Sequence, residues 1–214
     1  MKKLTLFFTL VNLLFTSFIF SQNNPGILFS LQQLSDQSWG VFLQPEDDLN
    51  PSAKLLTGSG QVTILTPEEF TYYQFRNYSG TWGENARIDS PEEALGRSYI
   101  SFGLLSDMPK IQVKPESETL LFTFVTDESF SGVLSLFDNE NDPFNPPNSI
   151  STNPGNDINI ADTGLKNGLT YYRYKGNYFT NHTKTKPVFA GQKPSELKAD
   201  EEGIVIQWLD DNGN

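Results

Sequence analysis

What most constrains this chain is a period of two that is repeatedly broken off. Ser98-Tyr-Ile-Ser-Phe-Gly-Leu104 places Ile100, Phe102 and Leu104 on one face and Tyr99, Ser101 and Gly103 on the other. That is the signature of a half-buried β-strand. The same alternation sets Trp39, Val41 and Leu43 on one face of residues 38–45, and it runs through residues 61–66 up to Pro67. Residues 70–78 read as a strand with Tyr73 and Phe75 inward. Residues 110–114 read as an edge strand with lysines outward. Residues 118–125 carry Leu120, Phe122 and Phe124 on one side and Leu121 and Val125 on the other, as a central strand would. Residues 133–137 follow. Ile158 and Ile160 mark a further short strand, and residues 169–179 a long aromatic one. For residues 27–34 periodicity does not decide between a strand and a short helix.

Gly, Pro, Asn, Asp and Ser separate these runs, and long stretches of helical period are missing. An all-β fold of many short strands is expected. One short inserted helix is expected at residues 90–96. Ser90 suits its N-cap, Pro91 its first position, Glu93 a capping box and Gly96 its end.

The ends read differently from the middle. Lys2 and Lys3 precede a mostly apolar run to Phe20, then Ser21 and a polar, Pro-containing stretch. This pattern predicts a cleaved signal peptide over residues 1–22, rather than an anchoring helix, and hence export. Residues 27–180 form the expected domain. Residues 181–214 read as a Lys-rich linker and tail, with an isolated strand-like run at Ile204-Val-Ile-Gln-Trp208.

Losing Lys2 and Lys3 would take the formal net charge from −11 to about −13. Nucleic acid is therefore not an expected partner, because phosphate contact needs a basic patch. No cysteine is present, so the fold must stand on its core without disulfides, and a lipoprotein is not expected. After signal removal no segment is long and apolar enough to make a membrane helix.

Three blocks resemble the cohesin-type, carbohydrate-binding-like modules of secreted Bacteroidetes surface proteins. They are Gly58-Ser-Gly-Gln-Val-Thr-Ile-Leu-Thr-Pro67, the stretch from Asn77-Tyr-Ser-Gly-Thr-Trp82 through Ser90-Pro91 to Leu104, and Asp138-Asn-Glu-Asn-Asp-Pro-Phe-Asn-Pro-Pro-Asn148. The resemblance covers residues 38–179. It implies a two-sheet antiparallel sandwich, jelly-roll-like, of about nine strands. It also implies binding of an envelope or extracellular protein, or of a polysaccharide, at the cell surface, with the periplasm as the alternative.

Two constellations bear on chemistry. Asp138, Glu140 and Asp142, spaced at i, i+2 and i+4, are candidate ligands for a weak Ca²⁺ site, since hard oxygens suit that ion. An EF-hand is excluded because Pro143 stands where its glycine would be. The competing reading is a solvated turn capped by its own Asp and Asn side chains. Tyr171, Arg173 and Lys175 on the aromatic strand, with Trp82 and Tyr78, are candidate ligand-binding residues, because rings stack on apolar sugar faces. The competing reading makes alternate tyrosines core. Catalysis is not expected. His182 is the single histidine and stands in the polar linker, there is no Cys nucleophile, and no Gly-rich phosphate loop precedes a helix. No cofactor beyond that calcium is expected.

Overall fold

The computed structural model describes residues 26–34, 37–46, 49–166 and 168–179. Residues 1–22, Ile204 to Trp208 and His182, singled out above, lie outside the described residues. Ten strands are formed among the described residues: β1 (Gly26–Gln33), β2 (Ser38–Pro45), β3 (Leu55–Pro67), β4 (Tyr72–Asn77), β5 (Thr81–Asp89), β6 (Arg97–Ser106), β7 (Thr119–Thr126), β8 (Ser135–Leu136), β9 (Asp157–Asp162) and β10 (Thr170–Asn177). The segment left open between strand and helix is thus a strand, paired on both sides.

The all-β class holds, but the two-sheet antiparallel sandwich does not. The strands join one mixed sheet in the order β4-β7-β2-β1-β10-β9-β3-β6-β5, curled until it is nearly barrel-shaped. β1 and β10 run parallel, the other pairs antiparallel. By lying between β1 and β9, β10 fuses what would have been two layers edge to edge. Alternation inward and outward is the same in a sandwich and a barrel, so periodicity cannot tell them apart.

Inward residues fill the interior. Phe29, Val41, Leu43, Val62, Ile64, Ile100, Phe102, Phe122, Phe124, Ile158 and Ile160 are all buried. Phe75 stacks on Phe102 with ring centroids 5.2 Å apart, and Phe102 meets Phe122 at 5.1 Å. A second, smaller cluster lies on the outer face of β3 and β6: Leu65, Ala94, Tyr99, Phe137 and Phe144. Tyr99 belongs to the face expected to be open to solvent, yet it is fully buried. The loop carrying Phe137 and Phe144 covers it.

Other local expectations fail for identifiable reasons. Residues 90–96 form no helix. They close the β5–β6 hairpin, where Ser90 N donates to Arg97 O at 2.7 Å and Gly96 N donates to the Ser90 hydroxyl at 2.9 Å. Strands fixed at both ends leave no room for a stable helical nucleus. Glu93 does not cap. It accepts from the Ser149 amide and hydroxyl at 2.6 and 3.0 Å.

Residues 110–114 form no strand, although Ile111 and Val113 do enter the core. In β4, Tyr73 is half exposed while Tyr72 and Phe75 pack inward. Gln74 adopts a φ of 48°, and the register shifts between Tyr73 and Arg76. This bulge breaks the parity that would have put Tyr73 and Phe75 on one side.

β4 and β5 are the two ends of the sheet, although only residues 78–80 separate them in sequence. Side chains stitch their seam. Asn77 donates to Trp82 O and accepts from Trp82 N at 3.2 and 2.9 Å, Tyr72 donates to Glu84 at 2.8 Å, and Arg87 donates to Phe70 O at 2.9 Å. Gly80 turns the chain at φ 73°, where an added Cβ would also stand 2.7 Å from Leu104 Cδ1. That conformation favours glycine.

Candidate ligand-binding site

β10 sorts its side chains by parity. Tyr172 is buried and donates to Asp162 at 2.8 Å; Tyr174 packs on Phe29 and donates to Asn177 at 2.8 Å. Burial pushes the Tyr174 hydroxyl up to about 12. Tyr171, Arg173 and Lys175 are left on the outer face, all exposed. The structure therefore brings these three together, as the spacing implied, and assigns the intervening tyrosines to the interior.

The register extends this face across two more strands. Tyr171 stands opposite Ala161, and Ala161 opposite Leu56. Tyr171 is 48% exposed and Leu56 59%. A small residue between two large ones makes a shallow furrow along β9, floored by Ala161. Its end is polar. Arg173 faces Asn159, which donates to Ser59 at 3.0 Å and to Asp157 at 2.9 Å. Lys175 is held by Glu46 at 3.1 Å. Arg173 has no ion pair among the described residues. A ring, a guanidinium and amide and carboxylate oxygens on one rigid sheet face suit a ligand with both apolar and hydroxylated surfaces.

The other two candidates stand elsewhere. Trp82 is 2% exposed, packed on Phe122, with its indole N–H donating to Ser79 O at 2.8 Å. It belongs to the core rather than to a platform, because β5 turns it inward toward Gly60, where a Cβ would come within 2.9 Å of the ring. Tyr78 is half exposed, but it follows β4, four strands away from β10 in the sheet order.

The acidic loop is organised around itself. Asp138 Oδ1 accepts the amides of Glu140 and Asn141 at 2.9 and 3.1 Å, and Oδ2 the Asn141 side chain at 3.0 Å. Burial raises its pKa, but these bonds outweigh burial and hold it below the ordinary value. Asp142 is buried and accepts from Tyr99 and from Phe144 N, both at 2.9 Å. Asp138 and Glu140 are both exposed, and Glu140 borders a shallow depression of about 430 Å³ shared with Asn139, Asn145 and Asn153. Among the described residues no three His, Cys, Asp or Glu side chains gather so as to hold a metal ion. Melting with calcium and with chelator is therefore expected to give one midpoint. A calcium-dependent rise would show that the loop rearranges to bind.

Two polar residues that organise the fold, Asn156 and Asp162, carried no sequence signal that separated them from turn residues. Both are buried. Among the described residues no helix is long and apolar enough to cross a membrane. Comparison with family models, with curated proteins and with solved structures finds no match to the chain.

Proposed function

We propose that this chain is a non-catalytic, exported binding module that recognises a glycan through the outer face of β3, β9 and β10. The observation that supports it is the row Leu56, Ala161, Tyr171 beside Arg173 and Asn159. The exposed Tyr171 ring would stack on a sugar face, and the polar end of the furrow would bond its hydroxyls. The cohesin-type resemblance and the leader-like pattern of residues 1–22 support a location at the cell surface or in the periplasm.

Retention of the protein on a panel of neutral polysaccharides tests this reading. Tyr171→Ala is expected to bind about tenfold more weakly, equivalent to about 1.4 kcal/mol of lost ring contact. Equal retention of both proteins, or none across the panel, would remove it.

A second reading is favoured by the seam. Among the described residues β4 and β5 each pair on one side only. In this reading the chain is itself a small accessory subunit of an outer-membrane or secretion complex and docks by strand addition. Co-purification of envelope proteins, lost when a proline replaces Arg76, would support it.

A further inference from the structure

We propose a second ligand site on the outer face of β2, β7 and β4, one that takes a carboxylate-bearing saccharide such as an oligouronate. A depression of about 390 Å³ lies there, lined by Gln74, Arg76, Tyr78, Leu120, Thr123 and Val125 among others. The volume is that of a small-ligand site, typically ~300–1,000 Å³. Stable protein interfaces use about 20–30 residues a side, so this groove is too small to be one.

The floor follows from the register. Gly40 stands opposite Thr123, and Thr123 opposite Arg76, so the middle row is small on two of three strands. A Cβ on Gly40 would come within 2.8 Å of the Phe42 ring and 3.2 Å of Leu120, so a larger residue there would have to displace both side chains. Higher walls stand on both sides: Val125 opposite Tyr73 at one end, Leu120 and Tyr78 at the other.

The β4 bulge is what makes the site charged. Tyr73 pairs with Val125 on the outer face, and regular alternation would next bring Phe75 outward opposite Thr123. The extra residue instead sends Phe75 into the core and sets Arg76 opposite Thr123. The cost is a left-handed φ of 48° at Gln74, a side chain that does not favour it. Bulges commonly re-aim a side chain in this way next to a binding site.

Arg76 is exposed and has no ion pair or hydrogen bond through its guanidinium with any described residue, although the chain carries an excess of acids. A planar carboxylate would meet that fork with two parallel bonds. Tyr78, two residues on, is 48% exposed and offers its ring to the apolar face of a pyranose. Gln74 and Thr123 supply the amide and hydroxyl that ring hydroxyls need. The site is separate from Tyr171, whose strand β10 stands two strands beyond β2 and four beyond β4.

Calorimetric titration of the full chain with trigalacturonate and with neutral cellotriose tests the proposal. At about 0.15 M salt the Debye length is ~8 Å, so repulsion from the acidic surface is damped while a contact pair survives. The uronate is expected to bind at least tenfold more tightly than the neutral trisaccharide. Arg76→Gln should abolish that preference, Tyr78→Ala should weaken the uronate about tenfold, and both variants should melt like the parent because both side chains are exposed. Tyr171→Ala should leave uronate binding unchanged, which separates this site from the β10 face. No uronate binding, or binding indifferent to Arg76→Gln, would overturn the proposal. So would tighter binding of an acidic peptide than of the uronate.

Discussion

Asp162→Ala is expected to destabilise the domain by about 4 kcal/mol, from a total that for a domain of this kind is ~5–15 kcal/mol. Asp162 ends β9, opposite both Leu55 and Thr170, and is fully buried. Its carboxylate accepts from Ser52 N at 2.7 Å, from the Ser52 hydroxyl, from Gly164 N at 3.0 Å and from Tyr172 at 2.8 Å. Those four donors tie the segment before β3 and the turn after β9 to the sheet. Each bond to a charged acceptor contributes about 1.5–3 kcal/mol, but they act as one network and do not add fully. Removing the acceptor leaves the buried Tyr172 hydroxyl and two amides without a partner.

The same network fixes the pH dependence. Burial pushes the Asp162 carboxyl up, but the Ser52 hydroxyl and amide, the Gly164 amide and Tyr172 together outweigh it and hold the pKa at about 2. The unfolded value is about 3.9. A depressed folded pKa means stability that is complete above the unfolded value and is lost as the pH falls from about 4 through about 2. Urea denaturation across that window should show the loss in the parent, and less of it in Asp162→Asn. That variant keeps the shape but sets an amide N–H₂ against at least one donor. Identical pH profiles would show that Asp162 does not carry the acid sensitivity.

Asn156→Ala is expected to cost about 3 kcal/mol, the sum of two buried backbone groups left unmade. The reason lies on one edge of β3. Its pairing with β9 ends at Gln61, and its pairing with β8 begins at Ile64. Asn156 fills the interval: its side-chain oxygen accepts Thr63 N at 2.8 Å, and its N–H₂ donates to Phe137 O at 2.9 Å. Its backbone exchanges two bonds with the Asn139 side chain at 2.8 and 2.9 Å. Chemical denaturation measures the loss, and hydrogen exchange at the Thr63 amide should accelerate with it. Asn156→Asp retains only the acceptor half and should fall between the two. A change under 1 kcal/mol would mean that Asn177, which also donates to Phe137 O at 2.9 Å, suffices alone.

Much of the strand pattern was legible in the residues. β2 spans the expected segment, Ile158 and Ile160 point inward as read, and Tyr171, Arg173 and Lys175 do share an exposed face. Trp82 was not legible as core. An indole after a Gly turn looks the same whether its strand faces in or out, and β4 and β5 lie at opposite ends of the sheet order. The acidic loop was misleading for a related reason. Asp142 reads as a surface acid, and only the covering of Tyr99 by Phe137 and Phe144 turns it inward.

Local alternation alone determined that this chain makes strands and which side chains of most strands share a face, because pleating is a property of the backbone and needs no partner. Which strands meet was decided only in three dimensions. The parallel β1–β10 pair, the change of partners along β3 and the Gln74 bulge all depend on residues far apart in sequence competing for the same backbone groups. That competition placed Arg76 rather than Phe75 on the surface and made Asn156 and Asp162 indispensable.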